Sequence, residues 1–92
     1  RMHFFEFDEV SLDVELTVDD LFCGVIGAVT MSSGSSVPAG WSIQLETTSA
    51  TYASVVEADG RFTFTRVPLG MIRFQLDRSD AVKVTTPWLD AR

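Results

Sequence analysis

Apolar and polar residues alternate along most of the chain. Leu12, Val14, Leu16 and Val18 fall on one face of an extended segment, with Ser11, Asp13, Glu15 and Thr17 on the other. A period of two arises when one face of a strand meets a core and the other meets water. The segment before it sets Phe5 and Phe7 against Phe4 and Glu6, and Asp8 and Glu9 read as the turn between two strands. Asp19 and Asp20 form the next turn, and a third strand is predicted from Leu21 to Thr30. Its sequence, LFCGVIGAVT, is apolar on both faces, which suits a central position. Gly24 and Gly27 within it mark a bulge or a close backbone approach.

Residues Met31 to Gly40, MSSGSSVPAG, read as a loop closed by a Pro-Ala-Gly turn. Strand four covers Trp41 to Glu46, with Trp41, Ile43 and Leu45 on one face, and strand five covers Thr51 to Glu57. Ala58-Asp59-Gly60-Arg61 is the sharpest local signal, because Asp-Gly between alternating runs is a strong hairpin signature. Phe62 and Phe64 then face one way and Thr63 and Thr65 the other. Val67-Pro68-Leu69-Gly70 breaks the pattern, and Ile72, Phe74 and Leu76 resume it with Arg73, Gln75 and Asp77 facing out. A turn is expected from Arg78 to Ala81, and Val82 and Val84 begin a last short strand before Thr86-Pro87-Trp88. No window carries a 3.6-residue period. The prediction is a single all-β domain over residues 1–92, an antiparallel β-sandwich of seven or eight strands.

Composition narrows the function classes. Seven Lys and Arg stand against thirteen Asp and Glu, a formal net charge of −6. Nucleic-acid binding through a whole surface needs the opposite sign, and an anionic membrane repels the same excess. The longest apolar stretch, Leu21 to Met31, is far short of the roughly 20 residues that a spanning helix needs. A single cysteine, Cys23, allows no internal disulfide, which favours a reducing compartment. Its place in an apolar run makes it a buried small hydrophobe rather than a reactive thiol. The chain opens on Arg1 with no basic-apolar leader behind it, which predicts an excised domain from which a targeting segment or further domain was cut away.

Several segments together have a family look. Gly27-Ala28-Val29, Val37 through Leu45 (VPAGWSIQL), Ala58 through Phe64 (ADGRFTF), Val67 through Gly70 (VPLG) and Ile72-Arg73-Phe74 resemble the carboxypeptidase regulatory-like domains. The resemblance spans roughly residues 24–76, and ADGRFTF followed by VPLG is its most specific part. It implies a transthyretin-like (prealbumin-like) sandwich of Greek-key type. The ends, Phe4 to Phe7, Leu12 to Val18 and Val84 to Trp88, are similar to a group of actinobacterial proteins. There a variable helical N-terminal part precedes this domain, often encoded near RNA polymerase sigma factors. That likeness implies the C-terminal domain of a cytoplasmic accessory or regulatory protein linked to sigma-factor signalling.

No catalytic constellation is legible. The only histidine, His3, lies in an edge-like segment, and no G-x-S-x-G elbow exists. The transthyretin-like hydrolases acting on hydroxyisourate use several histidines and a distinctive C-terminal motif, both missing here, so that activity is not carried over. One His and one Cys cannot build a four-ligand zinc site without carboxylates. Asp8, Glu9, Asp19 and Asp20 could converge at one end of the sandwich and bind calcium loosely, although turn chemistry and a solvated acidic face account for them as well. The sequence therefore predicts no enzyme, no metal and no cofactor.

Charge is uneven along the chain. Residues 1–20 hold seven acids and one base, whereas residues 61–83 hold Arg61, Arg66, Arg73, Arg78 and Lys83 against two acids. If these segments lie on different sheets, the domain has an acidic and a mildly basic side that can steer a partner. Trp and Arg are enriched at binding hot spots, which makes Arg66, Arg73 and Trp88 the candidate partner-binding residues. Trp41 is in phase with Ile43 and belongs to the core, whereas Trp88 could cap one end of the sandwich or dock on a missing domain. Two functions remain. One is a non-catalytic interaction module that docks another protein or its own N-terminal part. The other is a carbohydrate-binding or surface-display sandwich of an exported protein.

Overall fold

The computed structural model describes residues 1–79 and 83–92. The chain forms β1 (Met2–Glu6), β2 (Val10–Val18), β3 (Phe22–Met31), β4 (Ser42–Glu46), β5 (Thr51–Val55), β6 (Arg61–Pro68), β7 (Gly70–Asp77), β8 (Val84–Thr85) and β9 (Leu89–Ala91). Sheet A runs β1-β2-β3-β6 and sheet B runs β5-β4-β7-β8, with β9 also paired to β7. Every pairing is antiparallel. This is the all-β sandwich that the alternation predicts, with no helix among the described residues. The expected turn at 78–81 and the strand start at Val82 fall partly on residues 80–82, outside the described residues.

The inward phases of the strands meet between the sheets. Leu12, Val14 and Leu16 from β2 and Val25 and Val29 from β3 pack with Ile43, Leu45, Ile72, Phe74 and Leu76 from sheet B. Trp41 joins them, only 6% exposed. Three rings tie the layers together: Phe62 and Phe64 of sheet A lie 6.2 and 6.5 Å from Phe74 of sheet B. Tilted and edge-on ring pairs at such spacings are favoured by the ring quadrupole. Phe62 fits only because its partner across the strands is Gly27, where an added Cβ would overlap the ring.

The two glycines of β3 divide the two roles the sequence offers. Gly27 permits close approach. Gly24 sits where the pairing with β6 shifts register between Cys23 and Val25, so that Thr65 and Arg66 together oppose it. Arg66 takes a left-handed φ of 56° there, the mark of a bulge.

Three expectations need correction. Asp59-Gly60 makes its tight turn, with Gly60 at φ 91° and Glu57 N donating to Arg61 O at 3.0 Å, but β5 and β6 are not a hairpin. They belong to different sheets, because Val56 dives into the core and donates its N–H to Trp41 O at 3.1 Å. The VPLG break is also shorter than it reads, since β6 continues through Pro68, β7 starts at Gly70, and Leu69 alone carries the chain across. Finally, the chain continues past Pro87 into β9. Thr85 faces Gln75, Thr86 N donates to Phe74 O at 2.9 Å and Leu89 faces Ile72, so Pro87 and Trp88 together oppose Arg73. A proline lacks the N–H a ladder needs, and a bulge is where a strand can hold one. Buried Thr86 maintains the edge: its Oγ1 accepts Phe74 N at 3.0 Å and donates to Pro87 O.

The Gly27–Phe62 fit gives a sharp prediction. Gly27→Ala should destabilise the domain by about 1–3 kcal/mol through overpacking, as measured by urea denaturation. Adding Phe62→Leu should recover part of that loss, a coupling expected only for residues in contact.

Candidate interaction surface

The three residues singled out by sequence do not form one surface. Arg73 and Trp88 share the outer side of sheet B, with the guanidinium 4.6 Å from the ring centroid. Arg73 also donates from Nη2 to Glu46 Oε2 at 3.1 Å, so cation, acid and ring form one satisfied cluster. Trp88 remains 41% exposed, and its place beside Arg73 follows from the bulge at Pro87. It stacks under Arg73 on the sheet rather than capping an end. Arg66 stands on sheet A, its guanidinium 4.4 Å from the centroid of Phe22.

The expected division into acidic and basic sides does not hold. Acid-rich β1 and β2 share sheet A with β6, so Arg61 and Arg66 lie in the acidic sheet while Arg73 lies in sheet B. Arg78 reaches Glu9 at 3.7 Å, joining the two charge classes instead of separating them. The four acids proposed to converge do not. Asp8 and Glu9 precede β2, Asp19 and Asp20 follow it, and consecutive turns of an antiparallel meander lie at opposite ends. Nine residues of strand put about 26 Å between them. Among the described residues no group of three or more His, Cys, Asp or Glu could hold a metal ion.

Asp19 serves its own turn. Its Oδ1 accepts N–H bonds from Leu21 at 2.8 Å and Phe22 at 2.7 Å. These two amides, Phe22 first, together with the charge of Arg66, hold the carboxyl below its usual range. His3 and Cys23 stand in different cross-strand rows, His3 opposite Val14 and Cys23 opposite Val18 and Val67. Cys23 is fully buried, and burial raises its thiol pKa. His3 faces inward on the edge strand, its Nε2 buried and without a hydrogen-bond partner among the described residues.

The surface that sequence reasoning missed is the outer face of sheet A. Register places Met2, Glu15, Ile26 and Thr63 in one cross-strand row, and Phe4, Asp13, Ala28 and Arg61 in the next. Met2, Phe4 and Ile26 are 64%, 59% and 61% exposed. The acids of β2 thus form a central stripe, flanked by apolar side chains of β1 on one side and β3 on the other. Asp13 and Glu15 belong to no ion pair among the described residues. At the margin Arg61 leans toward Asp59, at 3.6 Å, on exposed side chains. The signal in the sequence was β3 itself: a strand apolar on both faces, in a two-layer fold, leaves one apolar face outside.

Compared with protein-family models, curated proteins and solved structures, the chain gives no match in any of the three.

Two predictions follow from these clusters. Arg73→Ala should lower stability by no more than about 1 kcal/mol, since the Glu46 pair is partly solvated and the ring contact is half-exposed, and should alter Trp88 fluorescence. For Asp19 the folded pKa is depressed, so its stabilisation is complete above the ordinary carboxylate value of about 3.9 and fades as pH falls through the lowered one. The gap in urea midpoint between wild type and Asp19→Ala should therefore be constant above about pH 5 and close in acid.

Proposed function

We propose that the domain is a non-catalytic interaction module and that it docks another protein on the outer face of sheet A. One observation carries this reading: Met2, Phe4 and Ile26 stand exposed around two acids that have no ion-pair partner among the described residues. Water contact with these side chains costs free energy that a partner's surface removes. Arg66 extends the face toward Phe22, where a partner can reach it, and so keeps its place among the candidate contacts. Arg73 and Trp88, already engaged with each other and with Glu46 on sheet B, are secondary.

The resemblance of residues 24–76 to the carboxypeptidase regulatory-like domains supplies the setting. In that setting the sandwich is of the transthyretin-like, Greek-key type and the protein is a cytoplasmic regulatory one associated with sigma factors. The absence of any helix long and apolar enough to cross a membrane among the described residues is compatible with that placement.

The test is face-specific photocrosslinking in cells. A crosslinking side chain at Ile26 should capture a discrete protein, one at Gln44 on the opposite sheet should not, and Phe4→Ser with Met2→Ser should abolish the capture. Crosslinks arising only from Gln44, or glycan binding that depends on Trp88, would contradict the reading.

A further inference from the structure

We infer that the occupant of the sheet A face is a basic amphipathic helix of a partner protein, whose Lys or Arg residues sit over Asp13 and Glu15 with apolar residues on either flank. The inference rests on the docking role proposed above and adds the chemistry of the partner.

Charge selects among occupants. The acids lie in the middle of the face, not at its rim, so whatever covers it must bring positive charge to Asp13 and Glu15 or strip water from two unpaired carboxylates without compensation. A second copy of the chain meets this condition poorly, because the cations of this face, Arg61 and Arg66, stand at its margin on β6, Arg61 beside Asp59 and Arg66 over Phe22. Two copies placed face to face bring four carboxylates together on molecules that each carry −6. Nucleic acid and anionic lipid fail it for the same reason.

Geometry selects a helix. β2 and β3 are interior strands paired on both edges, so the centre of this face offers side chains and no free ladder for an added strand. Asp13 and Glu15, two residues apart on one strand, are separated by about 6.6 Å, and residues i and i+4 of a helix rise about 6 Å. A helix lying along β2 therefore meets both carboxylates with two cations one turn apart. The apolar pairs Met2 with Phe4 and Ile26 with Ala28 lie one strand away on each side, so the strip from β1 to β3 is about 10 Å wide, close to one helix diameter. Long Lys and Arg stems also lie well on apolar neighbours while their heads reach the acids.

The experiment titrates the purified chain with three synthetic peptides of equal length: a Leu/Lys amphipathic helix with Lys at i and i+4 flanked by Leu, its Leu/Glu counterpart, and a Val/Lys alternating strand former. The Leu/Lys helix should bind at least tenfold more tightly than either other peptide. Its amide chemical-shift changes should be confined to β1–β3, and its affinity should fall with salt. Asp13→Lys with Glu15→Lys should reverse the preference toward the Leu/Glu helix, and the isosteric pair Asp13→Asn with Glu15→Gln should weaken binding at least tenfold while leaving the folded spectrum intact. Equal binding of all three peptides, shifts mapping to sheet B, or a face-to-face dimer in sedimentation would overturn the inference. If Ile26 crosslinks a protein in cells while the Leu/Lys helix shows no preference, the partner chemistry is wrong and the docking role survives; if neither occurs, both fall.

Discussion

A two-layer sandwich can cover each of its sheets on one side only. Strands with polar residues on the outer phase accept this at no cost, and β2, with Ser11, Asp13, Glu15 and Thr17 outside, is built that way. β3 and β1 are not. Ile26 of β3, and Met2 and Phe4 of β1, stand exposed at outer positions, with Ala28 of β3 half-buried beside them. The interaction surface follows from this mismatch between a central strand that is apolar on both faces and an architecture with a single interior.

Inside, the constraint runs the other way. Phe62, Phe64 and Phe74 fill the interlayer space from both sheets, and the main chain must make room. It does so at Gly27, and elsewhere two bulges each add a residue to one strand without losing the inward phase. One bulge turns Arg66 over Phe22, and the other sets Trp88 under Arg73. Both pairs place a cation on a ring, which shields the ring without neutralising the charge. Sheet B's largest exposed ring is thus engaged, whereas Met2, Phe4 and Ile26 of sheet A have no such cover.

Much of this was legible in the sequence, for a physical reason in each case. The alternation from Leu12 to Val18 reports a half-buried strand because side chains of a pleated chain point to opposite sides at every step. Gly60 reports a tight turn because of its positive φ, and Trp41 reports core by its phase with Ile43. Long-range pairing was not legible. Local pattern does not say that the chain changes sheets between Val55 and Arg61, so the Asp-Gly turn read as a hairpin and the acid turns at the two ends of β2 read as neighbours. The same gap hid the candidate surface. Met2, Phe4, Asp13, Glu15, Ile26 and Ala28 come together only through the register of three strands, and Arg66 and Arg73, close in sequence, are parted by the crossing at Leu69.

The openness of the sheet A face is measured most directly by methyl relaxation with a soluble gadolinium chelate, which reports contact with solvent side chain by side chain. In the free domain the Ile26 δ1 and Met2 ε methyls should relax strongly, and the methyls of Val25 and Val29, on the inward side of the same strand as Ile26, should not. Equal protection of Ile26 and Val25 would mean that the face is already covered, and the account of a surface awaiting a partner would be wrong.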